Sequence, residues 1–314
     1  MADDQGDGTV ALIDLRSHRA HTLRATNGDK ADALAFFPDG GTLAIGGTDG
    51  TVTLWDVRSR SPVRKLRFSD QVWWVAVSPD GERIAVQTQS QGATNSTVEV
   101  RDVDSGNVLF SHHLANGSGD EFYRGGVSFS PDGQHVAALG CCQPGTTIQV
   151  WDARSGEELF SPEVENATSF AFSLDGRLLG ATTADGKVFL IDAHDGRRVG
   201  PPIDASGDVI SQISFSPDSR LFAVSSNDLT ATLWDIQTRK RIGNTFPIEP
   251  GVVPSAQFAA NGDLIIDYLA KATVWPTDLQ AWVRYACQVA GRDLTRAEWL
   301  DLLPDRPYHH VCPQ

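Results

Sequence analysis

TDGTVTLWDV, Thr48 to Val57, reads as a tight turn followed by a strand. Asp49-Gly50 suits a hairpin, because glycine takes positive φ at no steric cost. Thr51 to Trp55 alternates polar and apolar residues, the pattern of a half-buried strand. The same grammar returns in NDLTATLWDI, Asn227 to Ile236. A second phrase marks another turn: FFPDG (Phe36–Gly40), VSPDG (Val77–Gly81), FSPDG (Phe129–Gly133), FSLDG (Phe172–Gly176), FSPDS (Phe215–Ser219) and FAANG (Phe258–Gly262). Pro38, Pro79, Pro131 and Pro217 each precede Asp there, as in reverse turns. The strand endings are Ile13-Asp14, Trp55-Asp56, Arg101-Asp102, Trp151-Asp152, Ile191-Asp192, Trp234-Asp235 and Trp275-Pro276, spaced 40 to 50 residues apart.

A period of roughly 40–45 residues with a Trp-Asp ending marks the blades of a β-propeller. From Asp7 to Pro276 these residues resemble the WD-repeat propellers. The expected fold is all-β: a WD-repeat β-propeller, nominally of seven blades with the first incomplete, plus a short C-terminal helical appendage. The Gly-His pair of many such repeats is absent, so their buried His-Asp network is not carried over. Asp49 and its counterparts read instead as local turn chemistry.

With the strands of a blade called a to d from the channel outward, a strands start near Asp32, Val72, Arg124, Ala167 and Ile210. A sixth set, Val253 to Trp275, supplies a, b and c. Gly8 to Leu15 reads as a c strand and Arg19 to Arg24 as its d strand, with Ala2 to Asp7 ending a b strand. The chain is thus expected to begin in mid-blade, as the C-terminal part of a longer protein or a reading frame opened too late. The alternative is a six-bladed ring in which the N-terminal strand pairs with the Val253–Trp275 blade. After Trp275 the period changes. Leu279, Trp282, Val283, Ala286 and Val289 have helical spacing, and Gly291 suits the helix end. Thr295 to Glu298 is a capping box for a second short helix, stopped by Pro304. The expected division is residues 1–276 and residues 277–314. The tail, with CQVAGRDLTRAEW and YHHVCP, resembles the end of actinobacterial multidomain regulators, in which a WD-repeat propeller accompanies a STAND-type NTPase, a kinase or a helix-turn-helix segment. That resemblance implies a possible partner in an upstream effector domain of the same polypeptide.

Among 314 residues, 26 are basic and 40 acidic, a formal charge of −14. Nucleic acid and anionic membranes call for clustered Lys and Arg, so neither is an expected partner. No apolar run approaches the ~20 residues of a membrane span. The start, MADDQGDG, lacks the apolar stretch of a signal peptide, and four cysteines do not make a disulfide framework. The expected location is cytoplasmic. There is no phosphate-binding Gly-x-x-x-x-Gly-Lys-Ser/Thr and no Gly-x-Ser-x-Gly elbow. His112-His113 and His309-His310 lack a third ligand at metal spacing and read as ordinary loop and tail residues. No metal or cofactor is expected. Cys287 and Cys312 either close the tail by a disulfide or remain thiols packed as small hydrophobes. Cys141-Cys142 has no assigned role.

One patch is unusual. Aligned a strands carry Ala33, Trp74, Gly126, Ser169, Gln212 and Ser255 at one position. The preceding position carries Asp32, Trp73, Gly125, Thr168, Ser211 and Pro254. Trp73 and Trp74 stand where the other repeats hold small or polar residues. Either Gly125-Gly126 of the next repeat makes room for them, or they form an aromatic anchor at the channel mouth. Three long connections, Gln87 to Ser96, His113 to Tyr123 and Gly140 to Gly145, are expected in the same sector. Loops on a rigid scaffold are where function tends to sit. The sequence therefore points to a non-catalytic protein- or peptide-binding scaffold or sensor of a bacterial regulator, with Trp73, Trp74, Glu121, Tyr123 and Arg124 as site candidates. The rivals are a propeller hydrolase or lyase, for which only Glu121, Tyr123 and Arg124 come near the channel mouth, and a structural cap holding an upstream effector inactive.

Overall fold

Each repeat of the sequence forms one antiparallel sheet. The computed structural model describes residues 2–4, 8–14, 19–24, 31, 33–90, 95–115, 126–140, 147–247, 255–268, 271–277, 292–293, 295–298 and 310. Seven sheets follow one another. Sheet 1 is β1 (Ala2–Asp4), β2 (Thr9–Asp14) and β3 (Arg19–Arg24). Sheet 2 is β4 (Ala33–Phe36), β5 (Thr42–Gly47), β6 (Thr51–Asp56) and β7 (Ser61–Arg67). Sheet 3 is β8 (Gln71–Val77), β9 (Arg83–Gln89), β10 (Asn95–Asp102) and β11 (Val108–Ala115). Sheet 4 is β12 (Gly126–Phe129), β13 (His135–Leu139), β14 (Ile148–Asp152) and β15 (Glu158–Phe160). Sheet 5 is β16 (Ala167–Phe172), β17 (Leu178–Thr183), β18 (Lys187–Asp192) and β19 (Ile203–Asp204). Sheet 6 is β20 (Ile210–Phe215), β21 (Leu221–Ser226), β22 (Thr230–Asp235) and β23 (Arg241–Pro247). Sheet 7 is β24 (Ser255–Phe258), β25 (Leu264–Tyr268) and β26 (Lys271–Trp275). Sheets 1 and 7 are separate, so the first described strands pair with one another and not with β26, unlike the six-bladed alternative.

The recurring phrases are turn devices. In the turn between first and second strands, the serine hydroxyl donates to the aspartate two residues on, at 2.5 Å for Ser130–Asp132, 2.6 Å for Ser173–Asp175 and 2.7 Å for Ser216–Asp218. The same hydroxyl accepts the N–H five residues on, as in Arg83 to Ser78 at 2.9 Å. The Asp of the Trp-Asp ending caps the turn after the third strand. Asp102 accepts from Ser105 N–H at 2.7 Å, Asp152 from Ser155 N–H at 2.7 Å and Asp235 from Thr238 N–H at 2.6 Å. These are side-chain-to-backbone bonds that fix a local bend.

Packing joins neighbours. Each of six apolar clusters straddles two consecutive sheets: 1 with 2 through Val10, Leu12, Leu43 and Trp55; 3 with 4 through Val98, Val100, Phe129 and Trp151; and so on to 6 with 7 through Leu233, Phe246, Ala256 and Leu264. Among the described residues no cluster joins 7 to 1. The outer rim adds clasps at five successive seams. Arg60 donates to His21 Nε2 at 3.0 Å, Arg64 to Asp104 O at 2.5 Å, His112 Nε2 to Gly156 O at 2.8 Å, Arg198 to Glu163 O, and Arg239 to Val199 O. Gly156 and Gly196 sit at positive φ in these turns, and a Cβ on either would lie 2.6 Å from Phe110 or Phe160 of the preceding sheet. Arg101 stands where four other repeats have Trp and two have Ile. It fills that role by laying its guanidinium over the Phe68 ring at 4.2 Å.

Beyond Pro276 the described residues are few. The capping box forms: Thr295 N–H and Oγ1 both donate to Glu298 Oε2 at 2.8 Å, and Glu298 N–H returns to Thr295 Oγ1 at 3.3 Å. Arg292 grips the same carboxylate with two bonds of 2.8 Å. That guanidinium, with the Thr295 donors, holds the Glu298 carboxyl well below its ordinary range. The helical segment expected over Asp278 to Ala290, and Cys141, Cys142, Cys287 and Cys312, lie outside the described residues. No helix among the described residues is long and apolar enough to cross a membrane.

Candidate functional site

The register confirms the alignment that singled out the tryptophans. Ala33, Trp74, Gly126, Ser169 and Gln212 pair with Gly46, Gln87, Leu139, Thr182 and Ser225, one equivalent position in five sheets. In sheets 3, 5 and 6 the ladder bulges one residue earlier, between Val72 and Trp74, Ala167 and Ser169, and Ile210 and Gln212. Trp73, Thr168 and Ser211 are therefore the extra, unpaired residues, and a bulge re-aims the side chain it carries. Thr168 Oγ1 donates to Ile210 O of the next sheet at 2.6 Å, and Ser211 Oγ to Ser225 O at 3.2 Å. Trp73 places a partly exposed indole there, its Nε1 donating to Gln89 O at a long 3.4 Å.

Trp74 behaves differently. It packs against the cluster shared by sheets 3 and 4, with Val127, Phe129 and Trp151. That cluster also includes the small residues Ala85, Ala138 and Ala153. The expected relief by glycine does not occur at Gly126, which faces the other way: a Cβ there would meet only Phe170 of sheet 5, at 3.7 Å. Gly125 lies outside the described residues.

Opposite Trp74 stands Gln87, which the sequence placed in a loop. It is in β9, since the third sheet's middle hairpin runs on to Gln89 and resumes at Asn95. Its buried amide donates from Nε2 to Ser96 Oγ at 3.0 Å and across the seam to Leu139 O at 3.0 Å, while Oε1 meets no hydrogen-bond partner. At the same end, Asp70 accepts from Ser69 Oγ at 3.0 Å and from Ser90 Oγ. His113 is also in a strand, its Nδ1 3.0 Å from Thr97 Oγ1. Glu121, Tyr123 and Arg124, and residues 91–94 and 141–146 of the long connections, lie outside the described residues. The sector thus presents one indole, a buried amide oxygen and a hydroxyl-bound carboxylate. No group of three or more His, Cys, Asp or Glu among the described residues is placed to hold a metal.

Comparison with known proteins agrees with the sheets. Residues 2–78 match the model of the anaphase-promoting complex subunit 4 WD40 domain, and residues 203–235 the WD domain, G-beta repeat. The chain is an all-β propeller of WD repeats. Its relatives include protein groucho of Drosophila melanogaster, 36% identical over 30% of this chain and 12% of that protein. WD repeat-containing protein SL1-17 of Schistosoma mansoni is 29% identical over 48% of this chain and 46% of its own length. An uncharacterized WD repeat-containing protein, sll1491 of Synechocystis, is 31% identical over 46% and 38%. The chain spans less than half the length of each. Among solved structures, a chain in a crystal structure of the mitotic checkpoint complex superposes with a TM-score of 0.72 at 18% identity, covering 88% of this chain and 83% of that one. At that identity the likeness speaks for the fold alone.

Proposed function

We propose that this propeller is a non-catalytic, cytoplasmic protein- or peptide-binding module, the sensor or scaffold part of a bacterial multidomain regulator, and that its partner docks on the sector of sheet 3 around Trp73. The observation that carries the reading is the contrast at the bulge. Equivalent side chains in sheets 5 and 6 spend their hydroxyls on strand carbonyls, whereas Trp73 offers a partly exposed aromatic plane. Aromatic anchors of this kind are frequent hot spots, worth about 2 kcal/mol or more when covered. The turn carboxylates support a binding role over a catalytic one, because Asp132, Asp152, Asp175, Asp218 and Asp235 are already engaged with their own turns. The regulator context rests on the tail, whose residues resemble those of actinobacterial regulators and whose capping box is formed. Residues 277–314 would be the appendage by which the module meets the rest of such a protein.

The test compares the full chain with Trp73→Ala and Trp74→Ala in quantitative capture from lysate of the source cells, alongside thermal melting. Trp73→Ala should lose the captured partner while melting almost unchanged. Trp74→Ala should melt earlier. Normal capture by a Trp73→Ala protein that melts much earlier would make Trp73 a packing residue and remove the proposed site.

A further inference from the structure

The outer strands supply an internal control of their own. In sheets 2, 3 and 4 the register between the third and outer strands slips by one residue. This leaves Val63, Leu109 and Leu159 unpaired at one equivalent position. All three are exposed on the rim, Leu109 and Leu159 at 43% and Val63 at 61%. What surrounds them differs. Leu159 follows Glu157 and Glu158, and the outer strand of sheet 3 carries no Asp, Glu, Lys or Arg from Asn107 to Leu114. Val63 stands among Arg58, Arg60, Arg64, Lys65 and Arg67. Residues 56–70 hold five basic residues against two acidic ones, in a chain with 26 against 40.

These cations are poorly neutralised. Elsewhere Arg83, Arg101, Lys187 and Arg197 each pair with a carboxylate two or three positions away. Of the five around Val63, Lys65 has such a partner, Asp49, but at 3.5 Å and partly exposed, where an ion pair is weak. Arg60 and Arg64 give their hydrogens to uncharged acceptors, His21 Nε2 and Asp104 O. The side chains of Arg58 and Arg67 meet no hydrogen-bond or ion-pair partner among the described residues. Asp56 and Asp102, the carboxylates that feel Arg58 and Arg64, are already held by their own turns, through Ser59 N–H at 2.5 Å and Ser105 N–H at 2.7 Å. Among the described strands β7 pairs with β6 alone, so its outer edge presents main-chain donors and acceptors. Leu66 is its inward residue, 5% exposed, and Lys65 and Arg67 stand on the opposite side.

We propose that the rim of sheet 2 is a docking surface for an acidic, extended segment of a partner protein. The segment lies along β7, with carboxylates on Arg58, Arg60, Lys65 and Arg67 and one aliphatic side chain on Val63. Charge complementarity selects the occupant, and pairing with the strand edge aligns it. A long polyanion fits less well. A nucleic-acid strand or an anionic bilayer would reach over the neighbouring rim, where Asp104, Glu157 and Glu158 are exposed and repel it. The seven residues of β7 match a segment of about 23 Å. This surface does not depend on Trp73 and stands whether or not the sheet 3 sector binds anything.

The test uses the full chain and a fluorescein-labelled peptide, Glu-Glu-Asp-Ile-Glu-Asp-Glu, followed by anisotropy at low salt. Binding should be saturable and about ten-fold or more weaker in the double variant Lys65→Glu, Arg67→Glu, and also in Val63→Asp. All three side chains are exposed, so the melting temperatures should stay at the parent's. The control double variant Lys240→Glu, Arg241→Glu changes the net charge equally on the rim of sheet 6 and should bind as the parent does. Equal weakening by the two double variants would show a response to overall charge and overturn the location. No binding of the peptide, or binding unchanged by Lys65→Glu, Arg67→Glu, would overturn the surface itself. Oligothymidylate or phosphatidylserine vesicles bound as tightly as the peptide, and released by the same double variant, would assign the patch to a polyanion and overturn the peptide as occupant.

Discussion

The seam between sheets 3 and 4 and the forward side of sheet 7 are made from the same repeat, yet among the described residues they are opposites. At the first, Arg83 is only 7% exposed and spans the boundary, giving Nη1 to Ala153 O at 3.0 Å and Nη2 to Gly133 O at 2.9 Å. It also pairs with Asp80 at 3.0 Å and lies over the Phe129 ring at 5.7 Å. Gln87 reaches Leu139 O from the inner side, and on the rim His112 stacks on Trp151 with centroids 5.1 Å apart. At the second boundary, Val274 projects into solvent and no described cluster crosses. The comparison teaches that a blade's cohesion comes from its neighbours. The same third-strand position is buried where a described sheet packs against it and exposed at Val274, where none does.

The largest break in the comparison should come from Trp151→Ala. It opens the well-packed seam at a side chain 1% exposed and should cost roughly 3–5 kcal/mol in urea denaturation. Arg83→Met keeps the apolar stem but leaves two carbonyls without a donor. Since Asp80 is partly solvated, the loss should be about 2–3 kcal/mol by the same measurement. Acid should act next, and unevenly. The hydroxyl and amide of Ser105, the amide and hydroxyl of Ser155, and the amide and hydroxyl of Thr238 hold Asp102, Asp152 and Asp235 below their ordinary range, against a smaller contribution from burial. A carboxyl whose folded value is depressed contributes stability above its unfolded value of about 4 and loses it as pH falls through the folded one. Melting temperature should therefore drop as pH is lowered below about 4, more gently in Asp152→Asn. Sheet 7, which ends in Trp275-Pro276, has no such group to lose. The smallest effect belongs to Val274→Ser, expected within about 0.5 kcal/mol of the parent, whereas serine at its buried counterpart Val150 should be severely destabilising. A large loss at Val274 would mean that this side chain is packed after all.

Local features were legible in the sequence because the chemistry that makes them is local. Ser-Pro-Asp-Gly wires its own turn, Trp-Asp caps its own, and Thr295 with Glu298 closes a box within four residues. The sheet count followed from counting endings. Residues 87–89 and 95–96 were misread as a loop because the longer interval was assigned to the connection, whereas the strands themselves are longer: β9 pairs on with β10, and β10 with β11. Gln87 and Arg83 could not be found from sequence, since their partners lie 52 and 50–70 residues away and depend on how neighbouring sheets twist together. Arg101 stood among the strand endings with no role assigned to it, and its ring partner Phe68 belongs to another repeat. The physical basis for the split between the two half-buried tryptophans lies in the bulge, which leaves Trp73 unpaired in the ladder while Trp74 packs against the cluster of sheets 3 and 4.

The rim clasps give this architecture a mechanical grain. Each joins the outer part of one sheet to the turn or outer connection of the next, so load applied at an end passes through them one at a time, like teeth of a zipper. Repeats hold to their neighbours, and among the described residues sheets 1 and 7 each pack against one neighbour only, so they should hold least. Pulled by its termini, the molecule should yield sheets 1 and 7 first at low force, and then resist in steps as sheets 3 to 5 let go.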